Sequence, residues 1–172
     1  MGLEEIQDGL RARRGRTGSI AAGVRVALGA DHGGFGLKQR LHAALLELGA
    51  VVEDLGTNST APVDYPDIAA AVARRVASGD CTFGVVIDGV GSGSCMAANK
   101  VAGVRAATCH DERSARNSRE HQDANVLVFG AACVHPGHAR RLLRLWLLTP
   151  FAGGRHAARV AKIDALDGER RR

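Results

Sequence analysis

Short apolar segments alternate along the chain with segments whose apolar residues recur every three or four positions. The short segments are rich in valine and show little polar alternation, which is typical of strands buried on both faces of a parallel sheet. They span Val24–Leu28, Val51–Leu55, Gly84–Ile87, Val104–Thr108 and Asn125–Phe129. The periodic segments predict helices at Gly36–Leu48, Asp67–Ala77, Ser94–Lys100, Glu112–His121, Pro136–Leu147 and Ala157–Leu166. This alternation predicts an α/β protein, a three-layer αβα Rossmann-like fold with a five-stranded parallel sheet.

The same pattern divides the chain into three regions. Residues 24–167 carry the alternation of strands and helices, and their length suits a single domain. Residues 1–23 stand outside it and combine a Gly-, Arg- and Ser-rich stretch with three apolar residues at helical spacing, Leu3, Ile6 and Leu10. We interpret this N-terminal extension either as a flexible start or as a short docking helix on a linker. Residues 168–172 form a basic tail.

Composition and charge exclude several classes of function. The chain of 172 residues is 45% apolar and 24% charged, as in ordinary globular proteins, and its 3% of aromatic residues cannot build a stacking platform for single-stranded nucleic acid. The longest apolar runs, such as Leu145–Leu148, are far shorter than the ~20 residues of a membrane-spanning helix. Much of the net charge of +5 belongs to the termini, where residues 1–18 contribute +1 and residues 168–172 contribute +2. We therefore expect a cytoplasmic protein that binds neither nucleic acid nor membrane.

Cysteine and histidine spacing gives no sign of a metal site or a disulfide. The four cysteines include no C-x-x-C pair, and no secretory context accompanies them: Cys81, Cys95, Cys109 and Cys133. Reduced thiols are expected. His135 and His138 have H-x-x-H spacing, but no third ligand follows at the spacing of a metal site, so we expect no metal.

The residues that follow the predicted strands carry the candidate chemistry, because ligands of parallel α/β sheets collect beyond the carboxyl ends of the strands. Asp31 and His32 follow the first strand, and Asp88 follows the third. Asp88 opens a Gly-rich loop in which closely spaced glycines let backbone N–H groups approach negative charge. The loop lacks the glycine spacing of a dinucleotide site. It predicts an anion or oxyanion site, and a nucleotide-binding module is the distant alternative.

A pair of arginines near the C-terminus is a candidate phosphate contact. Arg155 and Arg159 lie four residues apart directly after Gly153-Gly154, so that both fall on one helical face. Two guanidiniums aimed in the same direction suit a phosphate group. An exposed basic face is the alternative interpretation.

Together these motifs resemble the ribose-5-phosphate isomerase B family, which also includes galactose-6-phosphate and allose-6-phosphate isomerases. The resemblance covers about residues 24–167. The segments that carry it are Gly29–Phe35, Asp64–Pro66, Gly89–Gly93, Ala97–Lys100, Gly103–Ala106, Ser114–Arg116, Arg119–His121, Asn125–Leu127 and Gly153–His156.

The resemblance implies an enzyme that interconverts aldose and ketose phosphates through a cis-enediolate, without a metal or an organic cofactor. Its active sites lie between two subunits, so a homodimer is the minimum assembly, and pairing of dimers into tetramers stays open. A base removes the proton beside the carbonyl while N–H groups of the Gly-rich loop hold the developing oxyanion, each donor being worth ~3 kcal/mol. Ribose 5-phosphate is the first expected substrate.

The resemblance also implies roles for individual residues. His121 matches the histidine that helps to open the sugar ring, and Asp31 matches an acid near the ring oxygens. His32 and the arginines 155 and 159 match phosphate-contacting positions, the arginines coming from the neighbouring subunit. Tyr65, the only tyrosine of the chain, would line the sugar pocket. The other substrate-binding positions are Gly89, Gly91, Ser92, Gly93, Ser94 and Gln122.

Three departures from the family pattern affect these expectations. Many members place a catalytic cysteine where this chain has Asp88, and others use a glutamate where it has Ser94. We predict that Asp88 is the base, with Cys95 as the alternative because a helix N-terminus favours a thiolate. Gln122 stands where asparagine is common, and Ala132 stands where an arginine usually contacts phosphate.

These departures keep other hypotheses open. One alternative substrate class comprises other sugar phosphates of four to six carbons. A second hypothesis is a homologue that binds a sugar phosphate without catalysis.

Short amphipathic helices on linkers also resemble the tags that recruit enzymes into bacterial microcompartments. Residues 1–18 therefore suggest binding to a shell protein and a location inside such a compartment.

Overall fold

Five strands and six helices alternate in residues 19–169, the part of the chain that the computed structural model describes. The strands are β1 (Arg25–Ala30), β2 (Val51–Asp54), β3 (Phe83–Asp88), β4 (Ala106–Thr108) and β5 (Val126–Gly130). The helices are α1 (Phe35–Glu47), α2 (Tyr65–Ala77), α3 (Ser92–Ala98), α4 (Glu112–Glu120), α5 (Pro136–Leu148) and α6 (Arg155–Glu169). The predicted docking helix in residues 1–18 lies outside the described residues, as do residues 170–172 of the basic tail.

All four pairings in the sheet are parallel, and the strand order is β2-β1-β3-β5-β4. After β1 the chain continues to β2 at one edge of the sheet, whereas after β3 it continues to β4 at the opposite edge. Such a reversal opens a crevice at the carboxyl ends of the two neighbouring strands, which is where parallel α/β sheets bind ligands. The predicted fold class is confirmed.

Side chains of alternate residues in the buried strands contribute to two separate hydrophobic cores. Val85 and Ile87 of β3 face the layer built from α1, α4 and α5, where Trp146 is the largest fully buried apolar side chain. Val86 of the same strand faces the layer built from α2 and α3. Because both faces are covered, β3 and β5 are buried along their whole length, which explains their nearly continuous apolar sequences.

Most element boundaries differ from the sequence prediction by one to three residues. Strand β4 is two residues shorter at its start, because the N–H of Arg105 donates to Oδ1 of Asn125 at 2.8 Å instead of to a strand. Helix α3 begins two residues earlier, because Gly91 turns the chain with a φ of 93°, which favours glycine. Helix α6 extends from Arg155 to Glu169, beyond both predicted ends.

A partly buried ion pair joins β2 to α1. Lys38 of α1 is fully buried, and its Nζ lies 2.5 and 2.6 Å from the two carboxylate oxygens of Asp54. Asp54 also accepts the N–H of Gly56 at 2.9 Å, at the end of β2. The pair therefore satisfies a buried charge and orders the chain just beyond the carboxyl end of the strand.

Candidate active site

Asp31 stands directly beyond β1, fixed against the neighbouring strand. Its N–H donates to the carbonyl of Ile87 at 3.1 Å, and its Oδ1 accepts the N–H of Gly34 at 2.8 Å. A Cβ atom on Gly34 would come within 2.5 Å of the Ile87 carbonyl oxygen, so glycine permits this close approach. Asp31 is thereby held, largely buried, in the crevice between β1 and β3.

His32 and Tyr65 border the same crevice. The Nδ1 atom of the exposed His32 ring accepts the N–H of Val63 at 3.3 Å. The Tyr65 ring packs against Gly93, where a Cβ atom would lie 2.7 Å from two ring carbons. The structure therefore places Tyr65 beside the Gly-rich loop.

Asp88, the last residue of β3, opens the Gly-rich loop and is 5% exposed. Its Oδ1 accepts the N–H of Val90 at 2.8 Å and also the N–H of Gly91. Its Oδ2 accepts the N–H of Ser94 at 3.0 Å. Three of the amides expected to face an external oxyanion are thus directed onto the loop's own carboxylate.

Two other loops hold the Gly-rich loop in place. Beyond β5, the N–H groups of Ala131 and Ala132 donate to the carbonyls of Asp88 and Gly89, at 2.7 and 2.9 Å. A Cβ atom on Gly33, in the loop after β1, would lie 3.6 Å from the N and Cα atoms of Gly89. The loops after β1, β3 and β5 therefore meet at one end of the sheet.

The side chains of Ser94 and Cys95 form no hydrogen bond with the Asp88 carboxylate. The Ser94 hydroxyl is fully buried and has no hydrogen-bond partner among the described residues. The Cys95 thiol donates to the carbonyl of Ala106 in β4 at 3.4 Å. Of the two candidate bases in this segment, Asp88 is therefore the one whose side chain accepts hydrogen bonds from the N–H groups of the loop.

A second group of predicted site residues surrounds the end of α4. His121 follows the helix directly, and its Nδ1 lies 2.7 Å from the side-chain nitrogen of Asn117. Its ring stacks on that of His156, with centroids 4.1 Å apart and planes 6° from parallel. Arg155 and Arg159 are exposed on α6 beside this stack, and the exposed Gln122 follows His121.

His156 is a further candidate site residue, in the segment Gly153–His156, that its sequence pattern alone does not distinguish. Burial of the ring, and then the positive charges of His121, Arg155 and Arg159, lower the pKa of His156 below its usual value. Its position next to the arginine pair was visible in the sequence. Its contact with His121, 35 positions earlier in the chain, was not.

The two groups of site residues lie at opposite ends of the sheet. We call Asp31, His32, Tyr65, Asp88 and the Gly-rich loop the carboxyl-end group, and His121, Gln122, Arg155, His156 and Arg159 the amino-end group. Asp88 pairs in register with Gly130 at the end of β5, whereas His121 precedes the start of that strand at Val126. Four strand steps separate these ends, roughly 13 Å. A single chain therefore does not bring the two groups together.

Among residues 19–169, no group of three or more His, Cys, Asp or Glu side chains is arranged to hold a metal ion. Within the same residues no helix is long and apolar enough to cross a membrane.

Comparison with known proteins assigns the chain to a family. The family model described as Ribose/Galactose Isomerase matches residues 26–163. The ribose-5-phosphate isomerase B of Escherichia coli is 44% identical over 146 residues, covering 85% of this chain and 98% of the relative. The D-erythrulose-4-phosphate isomerase of Pectobacterium atrosepticum is 37% identical over 142 residues, covering 81% and 93%.

Solved structures agree with this assignment. The ribose-5-phosphate isomerase B of Clostridium thermocellum superposes with a TM-score of 0.84 at 44% identity, covering 85% of this chain and 99% of that one. The corresponding enzyme of Thermotoga maritima gives a TM-score of 0.80 at 41% identity, covering 83% and 98%. The chain belongs to the ribose/galactose isomerase family. Within that family it is a sugar-phosphate isomerase of the aldose–ketose type.

Proposed function

We propose that the protein interconverts ribose 5-phosphate and ribulose 5-phosphate through a cis-enediolate, with Asp88 as the base. The observation that carries this proposal is the position of Asp88, a buried carboxylate at the carboxyl end of β3 in the crevice that also holds Asp31. Three N–H groups hold Asp88 in its ionised form, and an ionised carboxylate beside a bound sugar can accept the proton next to a carbonyl group. Cys95 is the weaker candidate, because its thiol donates to the carbonyl of Ala106.

The remaining site residues suit the other steps of this reaction. His121 would help to open the sugar ring, and Asp31 would stand near the ring oxygens. His32, Arg155 and Arg159 would contact the phosphate, since forked guanidiniums recognise its oxygens in pairs. No organic cofactor or metal ion is required for this proton transfer between neighbouring carbons.

The separation of the two groups supports a site shared by two copies of the chain. We propose a homodimer in which the amino-end group of one protomer meets the carboxyl-end group of its partner. A twofold axis would create two identical sites from one contact, because each chain supplies both groups. The same contact is compatible with a dimer and with a tetramer of paired dimers.

Isotope exchange tests the proposed reaction directly. The protein is incubated in deuterated water with sugar phosphates of four, five and six carbons, and the products are followed by NMR. We expect aldose–ketose conversion, with deuterium on the carbon beside the carbonyl, and loss of both signals in Asp88→Asn. Tight calorimetric binding without turnover or label in every substrate would instead establish a non-catalytic binding homologue.

Complementation between inactive variants tests the shared site. Asp88→Asn damages the carboxyl-end group and His121→Ala damages the amino-end group, so each homodimer should be inactive. Refolding the two variants together should restore activity, because some mixed dimers contain one intact site. Activity no higher than that of the separate variants would contradict a site shared between protomers.

The substrate panel also addresses sugars of other lengths. Ala132 donates its N–H to the carbonyl of Gly89 at 2.9 Å and so borders the Gly-rich loop, at a position where the family resemblance implies a phosphate-contacting arginine. A phosphate site with one guanidinium fewer favours a substrate that places its phosphate group at a different position in the site. A specificity constant for a tetrose phosphate above that for ribose 5-phosphate would assign the shorter sugar.

The location in the cell is a separate proposal that depends on residues outside the described part of the chain. We propose a cytoplasmic enzyme, with recruitment to a microcompartment shell protein through residues 1–18 as the alternative. Deletion of residues 1–18 should leave kinetics unchanged and abolish co-assembly with shell proteins. Unchanged co-assembly would dispose of the recruitment hypothesis.

A further inference from the structure

The two carboxylate oxygens of Asp88 have different surroundings. Oδ1 accepts two N–H groups, those of Val90 and Gly91, whereas Oδ2 accepts one, that of Ser94 at 3.0 Å. An ionised carboxylate oxygen offers about two lone-pair directions for hydrogen bonds. The acceptor capacity of Oδ1 is therefore filled by the loop, and Oδ2 keeps one direction open.

We propose that the two oxygens have separate tasks: Oδ1 anchors the Gly-rich loop, and Oδ2 takes and returns the substrate proton. This inference rests on the proposed isomerase function and assigns the transfer to one atom. A proton can reach Oδ2 without displacing any of the three N–H groups. A proton on Oδ1 would have to displace the N–H of Val90 or Gly91.

The proposed step is balanced within the substrate and Asp88. In the aldose, the bond between hydrogen and the carbon beside the carbonyl breaks, and an O–H bond forms at Oδ2. The electron pair of the broken bond forms the carbon–carbon double bond of the enediolate, and the carbonyl oxygen gains the negative charge. Oδ2 then returns the proton to the former carbonyl carbon, while the hydroxyl proton passes between the two substrate oxygens. No external oxidant or reductant takes part.

The surroundings of the loop explain why an anchor is needed. A Cβ atom on Gly130 would lie 2.2 Å from the Val90 carbonyl oxygen, and one on Gly91 would lie 3.1 Å from the Gly130 nitrogen. Residues 90 and 91 therefore pass very close to the end of β5, with Gly91 at a φ of 93°. Two hydrogen bonds to Oδ1 hold this turn in the one arrangement that the space allows.

The proposal predicts that cysteine is a poor replacement for Asp88, although many relatives carry cysteine there. A single sulfur atom accepts hydrogen bonds weakly and cannot bond the N–H groups on both sides of the carboxylate. Asparagine separates the two tasks, because its amide oxygen can occupy the place of Oδ1. Its NH2 group, at the place of Oδ2, would face the N–H of Ser94 and cannot accept a proton.

The test compares Asp88→Asn and Asp88→Cys with the wild-type protein by turnover and by hydrogen exchange of the loop amides in NMR. Asp88→Asn should lose about 10³-fold in turnover. Its Val90 and Gly91 amides should keep wild-type protection. Asp88→Cys should lose turnover as well, and those two amides should exchange at least about tenfold faster. Asp80→Asn is the matched control, since this exposed carboxylate pairs with Arg75 before the start of the same strand.

Each outcome decides a part of the proposal. Wild-type turnover in Asp88→Asn would overturn the role of Oδ2 while leaving the isomerase function intact. Full turnover and unchanged loop protection in Asp88→Cys would overturn the anchoring role. A wild-type protein that converts no sugar phosphate would refute the proposed function and with it the proton transfer. The exchange rates would then still decide whether Oδ1 anchors the loop.

Discussion

His121 and His156 stack with their ring centroids 4.1 Å apart, which couples the end of α4 to the start of α6. The stack joins two segments that the proposed reaction uses for different purposes, ring opening and phosphate binding. Two parallel imidazoles at this distance also repel each other when both are protonated, in keeping with the lowered pKa of His156.

The first prediction concerns the pH dependence of stability. Because the pKa of His156 is below its usual value of 6.5 in the folded protein, the unfolded chain binds the proton more readily. The stabilisation from a neutral His156 is present above about pH 6.5 and is lost as the pH falls through the lowered pKa of the folded state. His156→Phe keeps a stacking ring without a titrating group. Its free energy of unfolding should therefore decrease less between pH 7 and pH 5.

Chemical denaturation of both proteins at several pH values measures this difference. His110→Asn, at an exposed histidine, controls for the loss of an imidazole from the chain. Identical slopes in wild type and His156→Phe would show that the stacked ring does not titrate differently in the folded protein.

The second prediction concerns Arg119, a buried cation that precedes His121 by two residues. Its guanidinium lies against the rings of both Phe83 and Trp146, 4.9 and 5.2 Å from their centroids, and pairs with Asp123 at 2.7 Å. Arg119→Ala removes these contacts and leaves Asp123 without this partner, so we expect a loss of about 3–5 kcal/mol in the free energy of unfolding.

Urea denaturation checks this value. Arg140→Ala provides the comparison, because Arg140 forms an exposed ion pair with Glu47 whose loss should cost less than about 1 kcal/mol. Equal effects of the two substitutions would mean that burial of Arg119 adds nothing to its interactions.

The third prediction concerns two glycines in contrasting surroundings. Gly130→Ala would place a Cβ atom 2.2 Å from the Val90 carbonyl oxygen and push the Gly-rich loop away from β5. We expect loss of both stability and turnover. Gly36 in α1 has nothing within 4 Å of its Cβ position, so Gly36→Ala should stabilise the helix by about 0.5–1 kcal/mol. The melting temperature should fall in Gly130→Ala and rise in Gly36→Ala. Turnover should be lost only in Gly130→Ala.

The fourth prediction concerns the order in which the thiols react. Burial raises the pKa of Cys109 to about 11, and burial also raises the pKa of Cys81. Both thiols therefore stay protonated and covered at neutral pH, whereas Cys133 is exposed. Brief alkylation of the native protein, read by peptide mass spectrometry, should label Cys133 and leave Cys81 and Cys109 unmodified. Labelling of Cys109 as fast as Cys133 would contradict its burial in the folded protein.

The fold could be predicted because the buried strands are short, Val-rich apolar segments and the helices carry apolar residues every three or four positions. The element boundaries that were predicted wrongly depend on contacts between distant residues. Strand β4 starts late because Arg105 meets the side chain of Asn125, and helix α3 starts early because Gly91 adopts a positive φ. Neither the partner of a backbone N–H nor the sign of φ follows from the polarity of a segment.

The sequence indicated where several candidate site residues lie relative to the strands, but it did not indicate the geometry of the site. The positions of Asp31 and Asp88 follow from the rule that ligands collect beyond the carboxyl ends of parallel strands. The inward turn of three loop amides onto Asp88 depends on side-chain placement, and spacing in the sequence carries no information about it. Likewise, the stack of His121 on His156 brings together residues from two helices whose packing angle the sequence pattern does not reveal.

The outer strands of the sheet bear on how the protein behaves at high concentration. Strand β4 has three residues, too short to act as a template for another chain. Strand β2 ends in Glu53, which pairs with Arg25 and Arg75, and in Asp54, which pairs with Lys38. Pairing of a strand from another molecule with β2 would remove hydrating water from these charged side chains. Both margins of the sheet therefore discourage edge-to-edge aggregation, which leaves the protein free to associate through other surfaces.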